Sequence, residues 1–594
     1  MVILMDKRLR LLAIILLGMI FLLLARLVQI QLIDTEHFSA RNINLLQESV
    51  RQRSQEMIID HGRGKFYDRN GLSLTEETRP SLILFPFLKH VDFDIEILAE
   101  ILGEDVGALE KAIEESKEPF VYGDPEPLQL TPQQVEEINR LRIPGVFAVT
   151  KSFPREQTLA GQLIGIVGEN PELLKKRYPD KKLPIDTLIG ITGLQKSFDE
   201  FLLQEEQAKL IYHVDGRGGP LFGIDVKYVE PANPFYPVRI KTTLDYYIQQ
   251  EAERIVDAHG MEKGGLVLLD IEANSILALV SRPHLNLADP FANDSAKNFM
   301  LTAEIPGSIF KTVIAAAALE QDLVEGNRRF NCDRTITGEP EPRALGELDL
   351  MTSFAVSCNN TFGTLAKELS MIDPGLIERY AEKLGLLQPV GWRGNIFHMQ
   401  DFRQLADEES GKIFHDDTER KDLNYVALTG IGQHNVRLSP LAVANMMATI
   451  ARGGDKYSVR TVEKIEYKDG SEFITFPMKK LDGDRLSPYA TMKLQQLLRE
   501  VVKHEAGTGQ GLNDLPFSVA GKSGTAETHI FVGEKQLVNK WFAGYFPFEQ
   551  PKYALVIVNL DVFSSEGSVI PIYKDMVNYL YHLDQGKNYE KNSP

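Results

Sequence analysis

Cysteine and tryptophan are nearly absent: two of each in 594 residues. A disulfide-dense secreted scaffold is therefore excluded. Positive charge is also scarce. The chain carries 65 Lys and Arg against 83 Asp and Glu, a formal net charge of −18, and away from the N-terminus no Lys/Arg-rich tract occurs. Nucleic-acid binders usually present a basic face, so no nucleic-acid partner is expected. His504-Glu505 lacks the second histidine of a zinc helix, and Gly507-Thr-Gly-Gln-Gly511 lacks the lysine and hydroxyl that close a P-loop. No metal and no cofactor are expected. Short-period repeats and low-complexity stretches are missing too. What remains is a chain too long for one domain, 43% apolar and able to build sizeable cores.

The long apolar run is at the N-terminus. Lys7, Arg8 and Arg10 precede uncharged Leu11–Ala25, and Leu27–Ile33 extends it beyond Arg26. With Arg26 reaching to the interface, residues 11–33 attain the ~20 needed to cross a bilayer. Positive charge on the leading flank predicts residues 1–10 as a cytoplasmic tail and the bulk of the chain outside. A cleaved signal peptide is the competing reading. The absence of a clear small-x-small site after the run favours an uncleaved signal-anchor.

Asp34–Arg53 is polar and reads as a helical stalk. Helices are predicted over Phe93–Glu115 and over Thr131–Leu141, the latter opened by Thr131-Pro132 as cap and first position. Pro231, Pro234 and Pro237 mark a boundary. Beyond it Arg239–Leu244 reads as a strand, Asp245–Ile255 as a helix, and Gly265–Asp270 with Ser275–Ser281 as a hairpin. Trp541–Phe546 and Tyr553–Leu560 form a second strand pair, and Met576–Tyr581 starts a closing helix. Strands at both ends with helices between predict an α+β architecture, an antiparallel sheet covered by helices.

Three short segments carry the chemistry: Ser308-Ile-Phe-Lys311, Ser357-Cys-Asn359 and Lys522-Ser-Gly-Thr525. Singly each is weak. In this order they form the S-x-x-K, S-x-N, K-[ST]-G set of serine acyltransferases that react with penicillin and D-Ala-D-Ala peptides. A hydroxyl needs a base within hydrogen-bond reach, and residues three apart share a helix face, so Lys311 can sit beside Ser308. Gly307 permits a sharp entry into the helix, whose dipole favours charge on the Ser308 oxygen. Thr312–Leu319 is rich in alanine and can be buried on all sides. Cys332 and Cys358 would pair in an oxidising compartment or remain free thiols; a bridge would make them a redox pair acting on the Ser357 loop. Asp407-Glu-Glu409 and Asp416-Asp417 read as solvated acidic loops, and residues 507–511 as a flexible active-site loop.

The chain resembles the class B penicillin-binding proteins, monofunctional peptidoglycan D,D-transpeptidases. Arg63-Gly-Lys-Phe-Tyr-Asp-Arg-Asn-Gly71 is similar to a box of the family's pedestal, as are Pro154-Arg155 with Ala160–Gly168, and Gly190-Ile-Thr-Gly-Leu-Gln195. Thr242–Asp245 with Gln249 resembles the start of its transpeptidase domain, and Gly430-Ile-Gly-Gln433 through Ser439-Pro440-Leu441 to Ala451–Gly454 is similar to a later segment. Gln195 stands where the family usually has Glu, which puts a charge pairing with pedestal arginines in doubt. Ser439 replaces a usual Thr.

The resemblance implies a stalk and dimerisation-like pedestal over 34–235 and a penicillin-binding, serine β-lactamase-like transpeptidase domain over 236–594, with no glycosyltransferase domain. It implies Ser308 as nucleophile, Lys311 as base, and Ser357 as proton relay. Asn359 would hold the donor peptide and Lys522 would supply positive charge. Ser523, Gly524 and Thr525 would form an edge strand for substrate, its carboxylate and the oxyanion. Implied partners are stem peptides ending in D-Ala-D-Ala, β-lactams, the cytoplasmic membrane, a membrane glycan polymerase and other cell-wall-synthesis proteins. Hydrolysis in the manner of a carboxypeptidase or β-lactamase is the alternative. Against it, Glu419-Arg-Lys-Asp-Leu-Asn424 fits the lactamase glutamate box poorly, and 165 residues separate Ser357 from Lys522. A β-lactam sensor would need more chain inside the cell. A scaffold with dispensable catalysis is a further alternative.

Overall fold

The computed structural model describes residues 2–35, 38–39, 44–45, 54–155, 158–181, 183–203, 207–213, 226–229 and 232–586. The expected stalk over 34–53 falls largely outside them. The N-terminal helix α1, Val2–Val28, runs on into a wide turn over Gln29–Ile33. Within Leu11–Ile33 the most apolar 18-residue window has a mean hydropathy of 2.9, and none of it is buried. Among the described residues it is the one helix long and apolar enough to cross a membrane, and it is consistent with a single-pass anchor.

The pedestal pairs Glu76–Leu84 antiparallel with Val146–Pro154. Its helices pack Leu98, Leu102, Leu109, Ile113 and Ile138 against Leu82, Leu84 and Ala148. The single helix expected over 93–115 is two, Ile95–Leu102 and Val106–Glu115. Gly103 at φ +72 ends the first in a left-handed cap, and Asp105 accepts from Ala108 N to start the second. Thr131 and Gln134 make the capping box of the helix Pro132–Leu141.

A buried ion cluster locks the pedestal. Gln195 Oε1 accepts from Arg63 Nε and Nη2 at 3.2 and 2.9 Å, so this contact lacks charge on the acceptor. The carboxylate comes instead from Asp199, which accepts from Arg63 at 2.9 Å, Arg177 at 2.6 Å, Gly190 N at 2.7 Å and Tyr178 Oη at 2.8 Å. Asp68, fully buried, accepts from Asn70 N, Leu72 N and Tyr246 N, tying the pedestal box to the first helix of the next domain.

That domain is built on a five-stranded antiparallel sheet. In chain order its strands are β1 (Gly264–Asp270), β2 (Ser275–Arg282), β3 (Ala520–Val532), β4 (Lys535–Phe546) and β5 (Tyr553–Phe563). In space they run β2-β1-β5-β4-β3. Both faces are covered, so β1, β2 and β5 read as almost continuous apolar runs. Leu266, Leu268, Phe542 and Ile557 point to one face, under helices Tyr246–Ala258 and Ile570–Asp584. Val267, Leu269, Trp541, Ala543 and Val556 point to the other, where α2 (Lys311–Glu320) and α4 (Pro440–Ala451) lie. Residues 311–318 of α2 are buried throughout, as its alanines allow. The three sequence motifs sit where α2, the start of α3 (Asn359–Ile372) and the outer edge of β3 meet.

Candidate active site

Ser308 occupies a tight helical turn, Gly307–Phe310, that leads into α2 with Lys311 at its first position. Gly307 makes the entry possible. It sits at φ +55, and a Cβ there would lie 2.7 Å from the Thr525 carbonyl carbon, closer still to its oxygen. Its N–H donates to Gly432 O at 3.0 Å. Gly432, at φ +72, has its own missing Cβ pointed at the Gly307 carbonyl. Nucleophile turn, Gly432 loop and β3 therefore touch backbone to backbone.

Ser357 precedes α3 in the left-handed region, φ +61, a conformation costly for serine that aims both its carbonyl and its hydroxyl inward. Lys311 Nζ, fully buried, lies 2.8 Å from Ser357 O, 3.1 Å from Ser357 Oγ and 2.7 Å from Asn359 Oδ1. Lys522 Nζ, also buried, donates to Ser357 Oγ at 3.1 Å and to Ser523 O at 3.0 Å. One serine hydroxyl thus bridges two amines. Ser523 Oγ donates to Thr508 Oγ1 at 2.7 Å. Ser308, Ser357, Asn359, Ser523 and Thr525 line one cavity of about 220 Å³, with Arg343, Ile431, Gln433 and Thr508 completing its walls. Gly524 has Pro306 O, Ile309 and Trp541 against it, so a side chain there would split the strand from the nucleophile turn.

Burial acts first on both amines, since charge is costly away from water. It holds the Lys311 pKa well below that of a free lysine, with the charges of Lys522 and Arg343 adding to the effect. Lys522 is pulled down to about 7 by burial and then by Arg343. The two amines titrate as a pair, and at neutral pH the arrangement can hold one neutral amine beside Ser357. An amine of that kind can accept the proton of a nearby hydroxyl. Phe362 and Phe354 lie 5.5 and 5.7 Å beneath the two Nζ atoms, partly compensating what positive charge remains.

Cys332 and Cys358 are joined, with Cα atoms 5.9 Å apart. The bond fastens the residue in the middle of Ser357-Cys-Asn359 to the base of the loop that carries Arg343. Two expectations need correction. Residues 507–511 are pinned, with Thr508 N donating to Ala355 O and Gly509 N to Val501 O, because both backbone groups face the protein. In the run Asp407–Glu409, Asp407 and Glu409 are exposed as expected, but Glu408 is not. Asp407 pairs with Lys196 at 2.6 Å, and Glu409 accepts from Ala303 N at 2.8 Å. Glu408 is buried, accepts from Val390 N and Gly391 N, and is pushed up to about 7 by burial. Asp416 caps the helix Asp417–Lys421. Among the described residues no group of three His, Cys, Asp or Glu could hold a metal ion.

Sequence reasoning did not single out Arg343, Ile431, Gln433 and Thr508 as cavity residues. Gln433 lies in a segment known only by resemblance, and Thr508 in residues 507–511, read as an active-site loop with no residue singled out. Arg343 sits in no motif. Gln433 Nε2 donates to Thr525 O at 3.2 Å while its Oε1 accepts from Glu527 N at 3.1 Å, occupying the β3 edge as a neighbouring strand would.

Comparison with known proteins agrees with this architecture. Residues 264–577 match the penicillin binding protein transpeptidase domain, and residues 58–233 the penicillin-binding protein dimerisation domain. The peptidoglycan D,D-transpeptidase FtsI of Escherichia coli K12 is 23% identical over 446 residues, which span 72% of this chain and 66% of that protein. The peptidoglycan D,D-transpeptidase MrdA of Acinetobacter baumannii is 22% identical over 91% of this chain and 82% of its own length. A solved structure described as "Structural coordination of polymerization and crosslinking by a peptidoglycan synthase complex" superposes with a TM-score of 0.65 at 21% identity. It covers 99% of this chain and all of the other.

Proposed function

This chain belongs to the class B penicillin-binding proteins, and we propose that it is a peptidoglycan D,D-transpeptidase working through an acyl-enzyme on Ser308. The observation that carries the reading is the bridge Lys311–Ser357–Lys522 beside Ser308 in one cavity. In this reading Lys311, neutral, takes the Ser308 proton as Oγ attacks the carbonyl between the last two D-alanines. The proton passes through Ser357 to the departing amine, and terminal D-Ala leaves. Asn359 orients the donor's amide. The N–H groups of Ser308 and Thr525 hold the oxyanion, a device whose single donors are each worth ~10²–10³ in rate. The acyl group then passes to an amine of a neighbouring stem peptide, the reverse proton path restoring Ser308. A penicillin occupies the same seat and stays bound because water is poorly activated there.

The apolar helix at residues 11–33 is consistent with a single-pass anchor and supports a cleft lying outside the cytoplasmic membrane. There a membrane glycan polymerase and other cell-wall-synthesis proteins are its natural partners. The structural relative described as part of a complex coordinating polymerization and crosslinking supports that assignment. The test is release of D-Ala and formation of cross-linked product from a D-Ala-D-Ala pentapeptide and an amine acceptor. Wild type gives both and Ser308→Ala neither. Release of D-Ala without any cross-link, at saturating acceptor, would make the protein a hydrolase; turnover by neither protein would leave the scaffold reading.

A further inference from the structure

Resting on that reading, we infer that Arg343 is a specificity-determining residue. It receives a carboxylate carried on the donor stem peptide upstream of the scissile bond, in addition to the C-terminal one. Among the described residues one cation, Arg343, lines the cavity and two lysines lie buried behind its wall. Lys311 and Lys522 are buried, committed to Ser357 and Asn359, and held toward neutrality. Arg343 instead lines the cavity itself, and its planar fork of donors suits a carboxylate. Its donors are poorly used. Nε stands 3.5 Å from Glu341 Oε1, and Nη1 makes a long 3.4 Å contact with Val356 O. The side chain is 49% exposed while lining the cavity. An arginine fork left open on a concave wall fits a carboxylate.

The loop that presents it is fixed from several sides. Cys332 N donates to Gly346 O at 2.8 Å, Glu341 N to Asp333 O at 2.8 Å and Gly346 N to Asp333 Oδ1 at 2.6 Å. The disulfide clips its base to Cys358. Ala344, directly after Arg343, is held at φ +44, strain that persists only where the surroundings impose it. Arg343 therefore reaches the cavity beside Val356 and Ser357, and shares its lining with the hydroxyls of Thr508, Ser523 and Thr525. A donor whose C-terminal carboxylate is held by those hydroxyls leaves the Arg343 fork for an acidic side chain upstream.

The experiment uses the detergent-solubilised full-length protein and two pentapeptide donors ending in D-Ala-D-Ala. They differ only in whether the third residue bears a free side-chain carboxylate or its carboxamide. D-Ala release is followed, with fluorescent-penicillin labelling of Ser308 as a control for the site itself. Wild type is expected to favour the acidic donor. Arg343→Gln loses ~10-fold or more in kcat/KM on that donor, mainly in KM, and less than about 3-fold on the carboxamide. Arg343→Lys recovers part of the loss, and Arg343→Glu reverses the preference. Equal losses on both donors, with an alkaline shift of the pH profile, would mean that Arg343 acts only through the lysines and would overturn the inference. So would no loss at all. If wild type releases no D-Ala and takes no penicillin on Ser308, the failure lies in the transpeptidase reading instead.

Discussion

Replacing Gly307 with alanine tests how far the site depends on backbone contact. The new Cβ would stand 2.7 Å from the Thr525 carbonyl carbon. Carbon atoms pack at ~3.5 Å, so the nucleophile turn and β3 must part by about 0.8 Å. The clash partner is backbone in the middle of a paired strand, which has no rotamer to move aside. The left-handed backbone, φ +55, adds ~1–2 kcal/mol for any L-residue. Parting the turn from Thr525 separates the two proposed oxyanion donors, and misplacement by ~1 Å costs on the order of 10²-fold in rate. Stopped-flow acylation by a fluorescent penicillin should fall by about that factor. The melting temperature should drop only by the few degrees that ~1–2 kcal/mol implies in a chain of this size. A Gly307→Ala protein that acylates within 3-fold of wild type would refute the reasoning, because the turn would then have room that the contact denies.

Three further outcomes follow from buried charge. Lys522 is drawn down to about 7 and Lys311 lies well below its free value, and only the neutral form of the amine pair can take the Ser308 proton. The acylation rate should therefore hold at neutral pH, where a lysine of ordinary pKa ~10.4 would be protonated, and fall only on the acid side; a rate that drops tenfold per unit from pH ~10 downward would contradict this. Glu408, ordinarily near 4.5, is raised to about 7. The native state then binds the extra proton between those values, so stability should decline as pH rises across that window and level off above it. Urea midpoints of wild type minus Glu408→Gln, measured from pH 4.5 to 8, should show that slope, and parallel curves would count against it. Asp199→Asn leaves two guanidinium groups without their shared counter-charge and should destabilise the pedestal by ~3–5 kcal/mol in denaturant unfolding. A change under ~1 kcal/mol would show that Gln195 alone suffices.

Much of this was legible because it is local. Ser308 and Lys311 are one helical turn apart, so spacing alone puts them on one face. The runs 265–270, 275–281 and 553–560 are short, apolar and bounded by turns, so they read as strands. Gly307 before Ser308 signalled the sharp entry. What escaped depends on partners distant in sequence. Glu408 looks like part of an acidic run until Val390 and Gly391 turn their N–H groups onto it. Asp199 is one carboxylate among many until Arg63 and Arg177 converge on it. Gly103 interrupts an apolar periodicity that continues beyond it, so the pattern reads through a break that only the left-handed cap reveals. Arg343 belongs to no motif, and its place in the cleft is set by the loop fastened at Cys332–Cys358.

The central claim is that Ser308 is the acylated nucleophile. Intact-mass measurement after incubation with a penicillin, followed by peptide mapping, tests it most directly. The account predicts one added mass of the intact antibiotic, located on Ser308 and absent in Ser308→Ala. An adduct that persists in Ser308→Ala, or that maps to another residue, would contradict it.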